Sequence, residues 1–176
     1  MEACEQAQSS CRMALIALAL MLIYFAVDNH VLLNPWNNLA QAGPQWPSTL
    51  AGWIPGLFTL WALWRRARWA VGVGAVWTVV WFLLQVRQWW LPYLFGPTPL
   101  HSDFRWYIEH GYTETLRILP QRGARPTPDL QHMTLQILSL SAAGLMVRAY
   151  LKLGSVRQYT ARPVVERMPA KSGRDC

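Results

Sequence analysis

The chain has 176 residues, which fits one compact unit, and only 14% of them are charged, against about a quarter in a typical soluble domain. A net charge of +7 would suit nucleic-acid binding, but the basic residues flank apolar segments instead of lining a folded face. Eleven tryptophans are typical of a chain that meets a membrane–water interface. These features exclude a nucleic-acid-binding protein and indicate a membrane protein.

Four segments are candidates for helices that cross a bilayer, at residues 13–33, 46–64, 69–86 and 133–151. The first of them has no charged residue before Asp28 and is about 31 Å long as a helix, enough for a hydrocarbon core of roughly 30 Å. The second contains Pro55, which membrane helices tolerate as a kink. We therefore predict an all-α fold, an integral membrane four-helix bundle that comprises residues 1–157.

Small residues recur one helical turn apart in two of these segments, at Ala70 and Gly74 and at Ser139 and Ala143. Such pairs let helix backbones approach closely in lipid. The alternative is that small residues are simply common in membrane helices.

A cleaved signal peptide is the alternative interpretation of the first segment. Arg12 would be its basic region, and Ala40-Gln41-Ala42 has the small residues of a cleavage site. That site lies far beyond the apolar run, and polar residues at 28–30 interrupt the approach to it. We expect the segment to be retained, and cleavage would leave three membrane helices.

The distribution of arginine and lysine predicts the orientation. Three arginines lie in the short connection at residues 65–68, seven basic residues lie from Arg148 onward, and none lies between residues 34 and 45. Basic loops face the cytoplasm. We expect a protein of the cytoplasmic (inner) membrane with both termini cytoplasmic and with a disordered basic tail at residues 158–176.

The stretch from Arg87 to Gln131 then lies outside, although its five arginines weaken the charge signal. Its apolar periodicity predicts an extracytoplasmic amphipathic helix at residues 103–119, between the third and fourth membrane helices and capped by Ser102. Gly111 is unfavourable inside such a helix. Asp129 is well placed as the N-cap of the fourth membrane helix.

Part of this stretch resembles a family of small uncharacterised bacterial multi-pass membrane proteins. The resemblance rests on Trp89-Trp90-Leu91-Pro92-Tyr93-Leu94-Phe95-Gly96, on Leu119-Pro120 and on Pro128-Asp129-Leu130-Gln131-His132. It implies a membrane location and no activity.

Histidines and carboxylates gather only in this outer stretch, and His110 and Glu114 are spaced i, i+4 on the predicted helix. With His132 from the next helix they are candidate ligands of a divalent metal such as zinc, and His101, Asp103 and Asp129 lie nearby in sequence. The pattern matches no metal-binding signature. The alternative is a hydrated polar face in which Glu114 pairs with Arg117.

Asp28 and Arg87 lie at similar depths from the cytoplasmic ends of their segments. Ionisable groups at membrane depth usually face a partner or water, so an intramembrane ion pair between them is a second hypothesis. The alternative is that both side chains are hydrated at headgroup level.

No GxSxG motif, glycine-rich phosphate loop or CxxC motif is present in the sequence. Three function classes remain. The first is an accessory or interaction subunit of the cytoplasmic membrane, in contact with the lipid bilayer, with other membrane proteins or with copies of itself. The second is a membrane enzyme or metal-binding protein with its site at the outer face, and the third is a small transporter component.

Overall fold

The computed structural model describes residues 2–43, 45–96 and 104–161 of the chain. In these residues the secondary structure is entirely helical. Helix α1 is Glu2–His30, α2 is Leu39–Ala42, α3 is Trp46–Arg65 and α4 is Arg68–Gln85; α4 runs through a π-helical turn, Val86–Trp90, into α5, Leu91–Phe95. Helix α6 is Phe104–Glu109 and α7 is Leu130–Ala161.

Three of the described helices are long and apolar enough to cross a membrane: Glu2–His30, Arg68–Phe95 and Leu130–Val156. Helix α3 has 20 residues but is not one of these three. Its sequence includes two prolines, three small hydroxyl residues and four tryptophans, which dilute its aliphatic content.

The four long helices pack side by side. Helix α1 contacts both α7 and α3, and α4 contacts the same two helices. The core between them is apolar in its central part, and Leu18, Leu63, Val71 and Met146 are almost completely buried there. The small residues Ala70, Gly74, Ser139 and Ala143 are all buried, as their one-turn spacing suggested.

Each long helix also leaves a stripe of large apolar side chains exposed, with members three or four residues apart. On α3 the stripe comprises Trp46, Leu50, Ile54, Leu57, Trp61 and Trp64, which are 46–71% exposed. Helices α1, α4 and α7 carry equivalent stripes that include Leu20, Val76 and Leu140. A soluble protein rarely exposes continuous apolar surface on this scale.

The helix limits differ from the predicted ones mainly where the chain is polar. Helix α1 starts at Glu2 instead of residue 13. The helical segment that begins with α4 continues through the π-helical turn and α5 to Phe95, and α7 includes residues 130–161. The short connection after α3 is present as predicted. The part of the predicted tail beyond residue 161 lies outside the described residues.

The amphipathic helix predicted at residues 103–119 is wrong in its length. Helix α6 ends at Glu109, and Gly111 follows with a φ of 72°, a left-handed conformation that interrupts the helix. Beyond it, the Leu116 N–H donates to the Pro35 carbonyl, which ties this part of the backbone to the loop between α1 and α3. Ser102 and Asp103, the predicted helix start, lie outside the described residues.

Gly74 allows α3 and α4 to approach closely. A Cβ atom at this position would lie 2.5 Å from Cγ2 of Thr59 and 3.0 Å from Cε of Met146. The Thr59 hydroxyl donates to the Pro55 carbonyl at 2.7 Å, so this short side chain is held in place.

We expect Gly74→Ala to destabilise the fold by about 1–3 kcal/mol, because the added methyl group overpacks this contact. Gly144→Ala is the matched control, since a Cβ there meets nothing within 4 Å. Reversible unfolding of the full chain in detergent measures both variants. Equal stability of the two would contradict the packing role of Gly74.

Candidate functional site at the start of α7

The carboxylate of Asp129 lies at the start of α7 and is completely buried. Its Oδ1 accepts a hydrogen bond from the backbone N–H of His132 at 2.9 Å, so Asp129 is the N-cap of α7, as predicted. Its Oδ2 accepts a hydrogen bond from the Thr115 hydroxyl at 2.8 Å. The carboxylate is thus held both by α7 and by the loop that precedes it.

His132 is the third partner of Asp129. Its Nδ1 lies 2.6 Å from Oδ1 of the carboxylate, and the two form an ion pair when the imidazole is protonated. In the neutral histidine this geometry places the ring proton on Nδ1, which leaves Nε2 as an acceptor. Nε2 has no hydrogen-bond partner among the described residues, and 16% of the His132 side chain is exposed.

Aromatic side chains hold the imidazole of His132 from two directions. The Trp89 ring lies against it with a centroid distance of 3.9 Å, and Tyr112 meets it edge-on at 5.3 Å. Trp89 also contacts Tyr107, whose hydroxyl donates to the Gln88 carbonyl at 2.6 Å. Burial raises the pKa of both tyrosines, that of Tyr112 to about 12 with the nearby Asp129 and Asp28 carboxylates contributing, so their hydroxyls are neutral at physiological pH.

Trp89 belongs to the π-helical turn between α4 and α5. Such a turn inserts an extra residue into a helix and frequently accompanies a functional site. Here both tryptophans of the turn meet α7: Trp89 packs on His132, and the Trp90 indole N–H donates to the Gln136 side-chain carbonyl at 2.7 Å.

A small polar cavity of about 30 Å³ lies beside His132, between the end of α1 and the start of α7. Its lining is formed by Asp28, Asn29, Asn37, Asn38, Leu39, Ala42, Gln45, Tyr112, Gln131 and His132. Among these described residues none is lysine or arginine. The cavity is large enough for about two non-hydrogen atoms.

One acceptor atom of the cavity-lining residues is buried without a hydrogen-bond partner: Oδ1 of Asp28, a residue that is 6% exposed. The side-chain amide of Gln131, a second lining residue, lies 3.2 Å from Nδ1 of His132, so its orientation is coupled to the tautomer of that ring. A buried acceptor that lacks a donor typically costs about 1–3 kcal/mol, and more when the group is charged. Natural proteins usually satisfy such groups, so the Asp28 oxygen is unusual.

The loop between α1 and α3 also lines the cavity. The buried Asn37 side chain donates to the Asp28 and Val31 carbonyls and accepts from the Leu33 N–H, which ends α1 in a fixed geometry. The Tyr24 hydroxyl donates to the Gln131 backbone carbonyl at 2.8 Å and accepts from the Trp36 indole. These bonds join the end of α1 to the start of α7.

The predicted metal ligands His110, Glu114 and His132 do not converge. His110 stacks on Trp106 and its Nδ1 lies 2.8 Å from the Trp106 carbonyl, whereas exposed Glu114 accepts a hydrogen bond from Asn38. Within the described part of the chain, no three His, Cys, Asp or Glu side chains are grouped to hold a metal ion. His101 and Asp103 lie outside that part.

Asp28 and Arg87 are not among the ion pairs formed between described residues, which are Arg105 with Glu109 and His132 with Asp129. Asp28 is buried beside the cavity, whereas Arg87 is an exposed residue of the π-helical turn. Of the residues that sequence reasoning proposed for a site, the structure therefore brings together Asp28, Asp129 and His132.

The chain matches no family model, and neither the curated proteins nor the solved structures include a match. Sequence reasoning missed Asn37, Thr115 and Tyr112, which reach the cavity or Asp129 from loops. A local signal did exist for one contact: an N-cap aspartate and a histidine three residues later lie on the same side of a first helical turn.

We expect Asp129→Ala to destabilise the protein by about 3–5 kcal/mol, because it leaves the His132 ring and the α7 terminus without their buried acceptor. Glu109→Ala is the matched control. It removes a carboxylate whose side chain is 53% exposed and whose pair with Arg105 is worth about 0–1 kcal/mol. Unfolding in detergent measures both, and equal losses would contradict the role of Asp129.

Proposed function

We propose that the protein spans the cytoplasmic membrane with four helices, α1, α3, α4 with its continuation α5, and α7, as a four-helix bundle. The exposed apolar stripe on α3 supports its inclusion, because it matches the stripes on the three more apolar helices. Lipid accommodates such a stripe, whereas water would not. Retention of α1 is supported by its core side chains, which include Ala14, Leu18 and Met21.

The orientation that we propose places the arginine-rich α3–α4 connection and both termini in the cytoplasm. The cavity, the aromatic residues around His132 and α6 then lie at the outer face. The basic residues after Arg148 fit the cytoplasmic side on the same grounds.

At the outer face we propose a ligand-binding or catalytic site in which Asp129 orients His132, and His132 uses Nε2 to accept a hydrogen bond or a proton. The observation that carries this proposal is the imidazole itself, fixed by a buried carboxylate through Nδ1 while Nε2 is left without a partner beside a polar cavity. A histidine oriented in this way is suited to general acid–base chemistry. A metal cofactor is not required by this arrangement.

An accessory subunit is the second candidate function. The size of the cavity favours it, because about 30 Å³ holds no more than a small part of a typical substrate. In this proposal the outer loops contact another membrane protein or a second copy of the chain.

A transporter component has less support. The hydroxyls of Thr59, Thr78 and Ser139, which are buried between the helices, donate to carbonyls of their own helices and so do not line a polar path. A pathway for a polar solute would need another copy or another subunit.

Reporter fusions test the membrane topology. We expect a fusion after Arg157 and a fusion in the α3–α4 connection to report cytoplasmic, and a fusion at Gly123, where the described loop is open, to report periplasmic. A periplasmic signal after Arg157 would contradict the orientation.

Complementation of a deletion strain in the native host tests the function. We expect wild-type protein and His30→Gln to restore growth under conditions where the deletion has a defect, and His132→Gln to fail while still accumulating in the membrane. His30 is the matched control because it is an outer histidine that bonds Thr49 and stacks on Trp46, away from Asp129. Full rescue by His132→Gln, together with a membrane partner that copurifies stoichiometrically, would favour the accessory subunit instead.

A further inference from the structure

Two residues that line the cavity carry acceptors without a hydrogen-bond partner among the described residues. Oδ1 of Asp28 is buried without a partner, and Nε2 of His132 is a second acceptor when the ring is neutral. A ligand that pairs with both must therefore supply at least two hydrogen-bond donors.

The charges around the cavity favour a cation. Asp28 and Asp129 both interact electrostatically with His132, and when both carboxylates are ionised even a protonated imidazole leaves the three groups with a net negative charge. The described lining residues include no lysine or arginine to balance it. The ring of Tyr112 forms part of the wall, and aromatic faces attract organic cations.

The volume of the cavity and the side chains around it limit the class of ligand further. A volume of about 30 Å³ accepts a group of about two non-hydrogen atoms, such as a methylene carbon and its ammonium nitrogen. The described residues contain no group of three His, Cys, Asp or Glu side chains suited to a metal ion. A primary ammonium group carries three donors and one positive charge, so it can donate to Oδ1 of Asp28 and to Nε2 of His132.

We propose that the cavity binds a primary ammonium group, with Asp28 as its counterion and with His132 as a further acceptor. This inference rests on the proposed site at the outer face and names the class of its ligand. The ammonium belongs either to the headgroup of an aminophospholipid such as phosphatidylethanolamine, which the outer leaflet would bring to this depth, or to a soluble amine.

The test uses the full chain in nanodiscs of phosphatidylcholine, whose trimethylated headgroup has no N–H donor and is too large for the cavity. Binding of radiolabelled methylammonium is measured by equilibrium dialysis. We expect saturable binding to wild-type protein and to Glu109→Gln, and binding at least about tenfold weaker to Asp28→Asn, which keeps the shape of the side chain but removes its charge.

A second measurement uses wild-type protein alone, so it does not depend on the folding of a variant. Unlabelled ethanolamine should displace methylammonium, and tetramethylammonium at the same concentration should not. Nanodiscs that contain equal parts of phosphatidylethanolamine and phosphatidylcholine separate the two sources. Loss of methylammonium binding there identifies the lipid headgroup as the occupant, and unchanged binding identifies a soluble amine.

Three results would overturn the proposal: no saturable methylammonium binding, equal binding to Asp28→Asn, or equal displacement by tetramethylammonium. If any of these occurs while His132→Gln still fails to complement, the ligand class is wrong and the site itself stands. If His132→Gln complements fully while methylammonium binding depends on Asp28, the cavity binds amines but the proposed role of His132 is wrong.

Discussion

Burial of the Asp129 carboxylate constrains the arrangement of the whole region around the start of α7. A carboxylate withdrawn from water is costly unless donors and a counterion surround it. Its donors here come from the first turn of α7, from the His132 ring and from Thr115 in the preceding loop. Because Thr115 must reach Asp129, the loop folds back over the start of α7 and brings Tyr112 against the imidazole.

The π-helical turn that follows α4 also helps to hold His132 beside Asp129. An extra residue in the turn changes the direction of the side chains that follow, so two consecutive tryptophans both reach α7. Trp89 covers one face of His132, and this contact leaves the imidazole little freedom to rotate away from Asp129. The orientation of His132 is thus fixed twice, once by a hydrogen bond and once by packing.

The parts of the fold that the sequence predicts best are those that a bilayer would dictate. Apolar runs marked the four long helices, but they could not mark the polar first turns of α1. In the loop before α7 the periodicity of Phe104, Ile108 and Tyr112 suggested one long helix, and the left-handed Gly111 breaks it. The N-cap at Asp129 was predictable because it is local. The contacts of Thr115 and Tyr112 with α7 were not, since only tertiary packing brings them there.

Structural and functional explanations of this region differ in how they account for the Asp28 carboxylate. Asn37 already ends α1, through two bonds to carbonyls and one from a backbone N–H, and none of these three bonds uses the Asp28 carboxylate. An asparagine or an apolar side chain would fill the same space with less desolvation, because burying a charge costs more than burying a neutral group. The fold thus gains no hydrogen bond at Oδ1 of Asp28, whereas a donor ligand in the cavity would turn that cost into binding energy. A ligand of the proposed class would therefore account for an acidic side chain at this position.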